Sequence, residues 1–116
     1  MPTPIRVAAV GDVHCAEPLR ERITRAFAAL AGNTDLVLLA GDLTTHGLPE
    51  QAQVFADACR GIELPIVAVL GNHDHHSGRA EEIVEVLDSA GIRVLDRSSL
   101  VLEIGQLEVG IVGVKG

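Results

Sequence analysis

The chain has 116 residues, enough for one domain with a real core, although a domain this small leaves roughly a third of its unfolded surface uncovered when folded. Apolar residues make up 47% and aromatics 2%, so the core is built from Val, Leu, Ile and Ala around Phe27 and Phe55, with little aromatic surface on which bases could stack. Sixteen acids against nine bases give a formal charge of −7, spread along the chain, a field that repels polyanions and speaks against non-specific nucleic-acid binding. The opening stretch MPTPIRVAAVGDVH has no basic region leading into a long apolar run, and no apolar run approaches membrane-spanning length. A soluble cytoplasmic protein without a membrane partner is therefore expected. Cys15 and Cys59 are too few for a disulfide framework, in keeping with a reducing compartment. Cys59 reads as core filler on a helix, and Cys15 as core filler in preference to a metal neighbour.

In chain order, Ile5 to Val10, Leu36 to Ala40 and Pro65 to Leu70 read as strands, because each is a short aliphatic run ending at glycine. Their uniform apolarity predicts burial on both faces. Between them, Pro18 to Ala31 places Leu19, Ile23, Phe27 and Leu30 at helical spacing, and Pro49 to Arg60 does the same with Ala52, Phe55, Ala56 and Cys59. A third helix, about Arg79 to Ala90, puts Ala80, Ile83, Val84 and Leu87 on one side and a Glu-rich solvated face on the other. After Gly91 the pattern changes: Ile92 to Leu95 is a short strand and Asp96 to Ser99 a turn. Leu100 to Ile104 and Leu107 to Val114 then form a hairpin closed by Gly105-Gln106. The order is βαβαβα followed by antiparallel strands, an α/β fold without internal repeats.

Three strings, Gly11-Asp12-Val13-His14, Gly41-Asp42 and Gly71-Asn72-His73-Asp74, each follow directly on a predicted strand. In a parallel sheet, residues just past the carboxyl ends of neighbouring strands converge on one edge. Two carboxylates, an amide and imidazoles then meet in one crevice, which describes a metal site. Asp12 and His14, one residue apart, would point the same way from an extended strand end and chelate one cation. Asp42 arrives from the next strand and can bridge two ions, and the Asn72 carbonyl oxygen can ligate the second. This mixed donor set suits Mn²⁺, Fe or Zn²⁺. His73 would then be free to face a leaving group as general acid or charge stabiliser. The competing reading is that Asp, Asn and Gly merely form turns after strands. Three coincidences of that kind, two with histidine at the right offset, disfavour it.

GDVH, GDL and GNHD, in this order and each after a strand, resemble the first three motifs of the calcineurin-like metallophosphoesterase superfamily, D-x-H, G-D and G-N-H-[DE]. The resemblance spans residues 5 to about 76. It implies that Asp12 and His14 bind the first of two divalent metals, Asp42 bridges, Asn72 binds the second and His73 is the catalytic histidine. It also implies hydrolysis of a phosphate mono- or diester by a metal-bound hydroxide, on a sandwich of two sheets flanked by helices.

Two departures from the superfamily pattern stand out. Its protein-phosphatase branch carries a further aspartate in motif two, where this chain has Thr45, so protein-phosphatase activity is disfavoured. Its later histidine ligands have no counterpart here, since no histidine follows His76. The metal site and the fold are thus expected to be incomplete in residues 1–116. Three helices on right-handed crossovers, with strand order running steadily outward, would cover one sheet face and leave the other bare. The expectation is an amino-terminal half of a larger phosphoesterase, or a short relative whose copies associate over the bare face. His46, His75 and His76 fall on polar loops next to motifs two and three. With Asp74 they are candidates for substrate or secondary metal contact, against the plainer reading of solvated side chains. Asp74-His75-His76 also spells the signature of the unrelated DHH phosphoesterases. That group needs an earlier histidine and aspartate cluster which residues 5–20 do not match, so the string reads as accidental. The alternative from another class is a non-catalytic scaffold, as in the retromer subunit that uses the metallophosphoesterase fold to bind partners.

Overall fold

A computed structural model describes residues 4–114. The apolar runs form a parallel sheet in which β1 (Val7–Val10), β2 (Leu36–Ala40), β3 (Ile66–Val69) and β4 (Ile92–Val94) lie side by side in that order. Val7 pairs with Leu36, Val37 with Ile66, and Ile66 with Ile92. The fourth strand thus continues the parallel sheet, and only the last two strands are antiparallel. β1 is shorter than its apolar run, because the Asp35 carboxylate takes the Arg6 N–H at 2.8 Å, before the first pair formed by Val7.

The crossovers carry α1 (Arg20–Ala31), α2 (Pro49–Cys59) and, after a one-turn helix α3 (Asn72–His75), α4 (Ala80–Ser89). The helix expected from Pro18 is divided. A 3-10 turn at Glu17–Leu19 precedes α1, with Leu19 at φ −98° and ψ 2° marking the break. Helices α1, α2 and α4 lie on one sheet face. Ile23, Phe27, Phe55, Ile83 and Leu87 close over Val37, Leu39, Ile66, Ala68 and Ile92, the shared alternate positions of the strands. Phe27 and Phe55 meet edge to face with centroids 5.3 Å apart at the α1–α2 seam.

The outer end of that seam is tied by Arg20, whose guanidinium donates to Glu17 at 3.0 Å and to Asp57 of α2 at 2.7 Å. Gln53 adds a hydrogen bond to Asp57 at 2.9 Å. Arg20, and secondarily Gln53, hold the Asp57 carboxyl below its ordinary value. A carboxylate depressed by folding contributes stability that is fully present above its unfolded pKa of about 3.9 and is lost as pH falls through the folded value. Thermal midpoints should therefore fall on acidification below about pH 4, and Asp57→Asn should start from a lower midpoint near neutrality, where the carboxylate's contribution is fully present, and show a flatter decline in acid. An unchanged acid profile in Asp57→Asn would place the titration elsewhere.

The second sheet face is not bare. Strands β5 (Ser98–Ile104) and β6 (Leu107–Gly113), joined by Gly105-Gln106, pair antiparallel as a separate two-stranded sheet. Their inward residues, Leu100, Leu102, Ile104, Val109 and Ile111, pack on Leu36, Val67 and Leu95. This corrects the expectation of one covered face. The hairpin follows β4 and folds back over β2 to β4, giving a three-layer α/β/β sandwich whose second sheet is narrow. Its reach ends before β1, so the expected burial of all strands on both faces fails there. Val7 is 50% exposed, whereas Val37 and Val67 on the central strands are buried. Outward positions of the hairpin also stay uncovered, Val112 at 76%.

Candidate metal centre

The first three strands end together, and the loops after them are stitched to one another along the edge. Asp12 N–H donates to the Gly41 carbonyl at 3.2 Å, His14 N–H to Asp42 at 3.0 Å and Cys15 N–H to Leu43 at 2.7 Å. The loop after β1 therefore runs along the loop after β2 as a continuation of the sheet pairing, and Gly41 N–H in turn reaches the Val69 carbonyl of β3 at 3.0 Å.

Within this edge Asp12, His14 and Asp42 each offer a ligand atom, and the three atoms lie within 4.8 Å of one another. The backbone that achieves this is not the extended strand end expected for Asp12 and His14. Asp12, His14 and Asp42 adopt left-handed conformations, with φ of 54°, 51° and 48°. Such values are uncommon for residues other than glycine, and clustered strain of this kind is retained at sites where geometry is held for function. Among the described residues only Arg97 shares that conformation without glycine. Asp12 is exposed, and His14 and Asp42 are half-buried. The donor set of two carboxylates and an imidazole fits a divalent cation such as Mn²⁺, Fe²⁺ or Zn²⁺, and a cation relieves the repulsion of two carboxylates held this close.

The third loop is brought against the second by backbone contact. A Cβ placed on Gly71 would collide with the Asp42 carboxylate and would lie 2.5 Å from the Asp42 nitrogen, so only glycine admits this approach. Two residues on, the His73 N–H donates to Asp42 Oδ1 at 3.0 Å, and the His73 ring stands edge-on to that of His14 with centroids 4.6 Å apart. His73 is thus delivered to the Asp-His-Asp group. Asn72, exposed at the first position of α3, lines a small cleft with Thr45, His46, His73 and His76.

The other predicted contacts divide. His46 and His76 border the cleft with exposed side chains. His75 lies within α3 rather than on a loop, and lines a different depression with Leu70 and residues of α4. Asp74 is not available as a ligand. Fully buried, its Oδ1 accepts from Thr44 N–H at 2.8 Å and the Thr44 hydroxyl at 2.7 Å, while Oδ2 accepts from Leu43 N–H and Gly71 N–H, each at 3.0 Å. It is a brace between the second and third loops. Burial pushes the Cys15 thiol up to about 12, so it stays a neutral S–H, whereas the thiolate is the metal-binding form.

Two residues that matter here escaped sequence reasoning. Gln51 accepts from His46 N–H at 2.8 Å and from Leu48 N–H at 3.4 Å, fixing the end of the second loop at the start of α2. Its place at the third position of a helix beginning with Pro49 is a capping position, a signal that was there to be read. Thr45 joins His14 to His73: its hydroxyl donates to the His14 carbonyl at 2.9 Å, and its own carbonyl lies 2.9 Å from His73 Nδ1. Nothing in local sequence announces that role.

The family model for calcineurin-like phosphoesterases matches residues 5–109 of the chain. No curated protein matches it.

Proposed function

Because the chain belongs to the calcineurin-like phosphoesterase family, we propose that it is a metal-dependent hydrolase of phosphate mono- or diesters, using the group formed by Asp12, His14, Asp42, Asn72 and His73. The observation that carries this reading is the convergence of the Asp12, His14 and Asp42 ligand atoms within 4.8 Å, with the His73 ring against His14. Asp12 and His14 would hold a first ion, Asp42 would bridge, and Asn72 would reach a second. Manganese, iron and zinc all suit these donors. Such ions supply an activated water and polarise a phosphoryl oxygen.

The chain's own residues do the rest. Asp42 anchors the His73 backbone through its Oδ1, which keeps the imidazole at the edge of the ion site. His73, half-buried on the cleft, gives a proton to the departing oxygen or stabilises charge on it. His46 and His76, which line the same cleft, would contact the ester group. A cytoplasmic setting and association of copies over the uncovered β1 side belong to the same reading. No helix among the described residues is long and apolar enough to cross a membrane.

The test is hydrolysis of aryl phosphate monoesters and diesters by the purified chain in Mn²⁺, with metal content measured alongside. His73→Ala should lower kcat by about 10²-fold, the lower end for losing a general acid. Stoichiometric metal without hydrolysis, or hydrolysis indifferent to His73→Ala, would favour a scaffold that retains the fold.

A further inference from the structure

We propose that Thr45 is a positioning residue that holds His73 in a single tautomer, leaving Nε2 as the ring nitrogen that acts on substrate. The role given to Nε2 rests on the phosphoesterase reading above; the tautomer does not.

His73 Nδ1 lies 2.9 Å from the Thr45 carbonyl oxygen. A main-chain carbonyl can only accept, so Nδ1 must carry a hydrogen, whether the ring is neutral or charged. The residue that carries this carbonyl is held by its own N–H and hydroxyl and through both neighbours. Thr45 N–H donates to the Cys15 carbonyl at 3.1 Å, and its hydroxyl donates to His14 O at 2.9 Å, with Cys15 O at 3.2 Å as the alternative acceptor. The residue before it is gripped by buried Asp74, and the residue after it is held through Gln51. Gly47 closes the arrangement: at φ 72°, a Cβ there would lie 2.6 Å from the His73 carbonyl, so the second loop presses on α3 backbone to backbone. The oxygen facing Nδ1 is therefore preorganised rather than recruited. Thr45 stands where the superfamily's protein-phosphatase branch carries an aspartate, and in this chain the main-chain oxygen of that residue is the group facing His73 Nδ1.

The consequence for proton transfer is definite. In the charged ring both nitrogens bear hydrogen. As the ester bond breaks, the Nε2–H bond breaks, its proton forms an O–H bond on the departing oxygen, and the ring is left neutral with its remaining hydrogen still given to Thr45. No rotation or tautomer exchange intervenes between turnovers.

The experiment is long-range ¹H–¹⁵N NMR on the metal-free, ¹⁵N-histidine-labelled chain at a pH where the ring is neutral, paired with steady-state kinetics in Mn²⁺. Wild type and Thr45→Ser should show His73 as the Nδ1–H form. Thr45→Val, which lacks the hydroxyl anchor, should show a mixture with the Nε2–H form, together with kcat reduced about tenfold and KM changed less than about twofold, roughly 1.4 kcal/mol of lost orientation. Thr45→Ser should restore kcat. An Nε2–H form in wild type, or a Thr45→Val variant with unchanged tautomer and kcat, overturns the assignment. If Thr45→Val fails to fold, the wild-type and Thr45→Ser spectra decide alone. An Nδ1–H ring in a chain that hydrolyses no phosphate ester would sustain the Thr45 assignment and sink the hydrolase reading.

Discussion

Asp42→Asn should remove the response of the chain to divalent metal while leaving its fold intact. At 100 times its dissociation constant, a metal that binds only the folded state adds about 2.7 kcal/mol of stability, or roughly 10 °C in the thermal midpoint of a domain this size. Asparagine tolerates the left-handed conformation that residue 42 adopts, and its amide oxygen can still accept the His73 N–H, so the loop geometry survives. What changes is charge: the carboxylate central to the Asp12-His14-Asp42 group becomes a neutral amide. If a complete four-ligand site is worth about 10–16 kcal/mol, one ligand carries roughly 3–4, so affinity should fall by about 10²- to 10³-fold. Thermal shift and calorimetry with Mn²⁺ check this, and hydrolysis should drop to background. Asp35→Asn serves as a control, since Asp35 is engaged with Arg6 and lies outside the Asp12-His14-Asp42 group. Equal metal binding by Asp42→Asn and wild type would place the ion elsewhere.

Asp74→Ala should cost about 4 kcal/mol of global stability with no metal involved. The substitution strips four hydrogen bonds from one buried carboxylate, three of them from backbone N–H groups of Leu43, Thr44 and Gly71. An unpaired buried donor costs about 1–3 kcal/mol, and neighbouring losses do not add in full. Against a domain stability of roughly 5–15 kcal/mol, the change is large. In urea it should lower the midpoint by about 2 M for a slope near 2 kcal/mol/M. Thr44→Val, which deletes the hydroxyl's bond to Asp74 and leaves the Gly47 N–H without its acceptor, should cost about 2 kcal/mol. A loss below about 1 kcal/mol in Asp74→Ala would mean that water satisfies the freed donors, and the brace would lose its standing. Asp42 and Asp74 thus separate two jobs that look alike in sequence: one acid is poised for a cation, and the other is consumed by the backbone.

The strands, the helices between them and the gathering of Asp12, His14 and Asp42 were legible because they depend on local periodicity and one topological rule. Aliphatic runs ending at glycine, helical spacers and parallel crossovers send loop residues to one edge whatever the details of packing. What local pattern could not supply are contacts between segments distant in the chain. The left-handed turns at Asp12, His14 and Asp42 exist because loops after β1 and β2 pair with each other. The four donors that saturate Asp74 come from residues up to 31 positions away. Cover for the second face depends on where the β5–β6 hairpin folds back, and exposure of Val7 on where it stops. The Thr45 carbonyl is chemically identical to every other main-chain oxygen and becomes specific through its 2.9 Å approach to His73. Residue types and spacing set which chemistry can assemble at the edge of the sheet. Three-dimensional packing settles which carboxylate meets solvent and which meets the backbone, because desolvation and hydrogen bonding respond to neighbours in space and not to order along the chain.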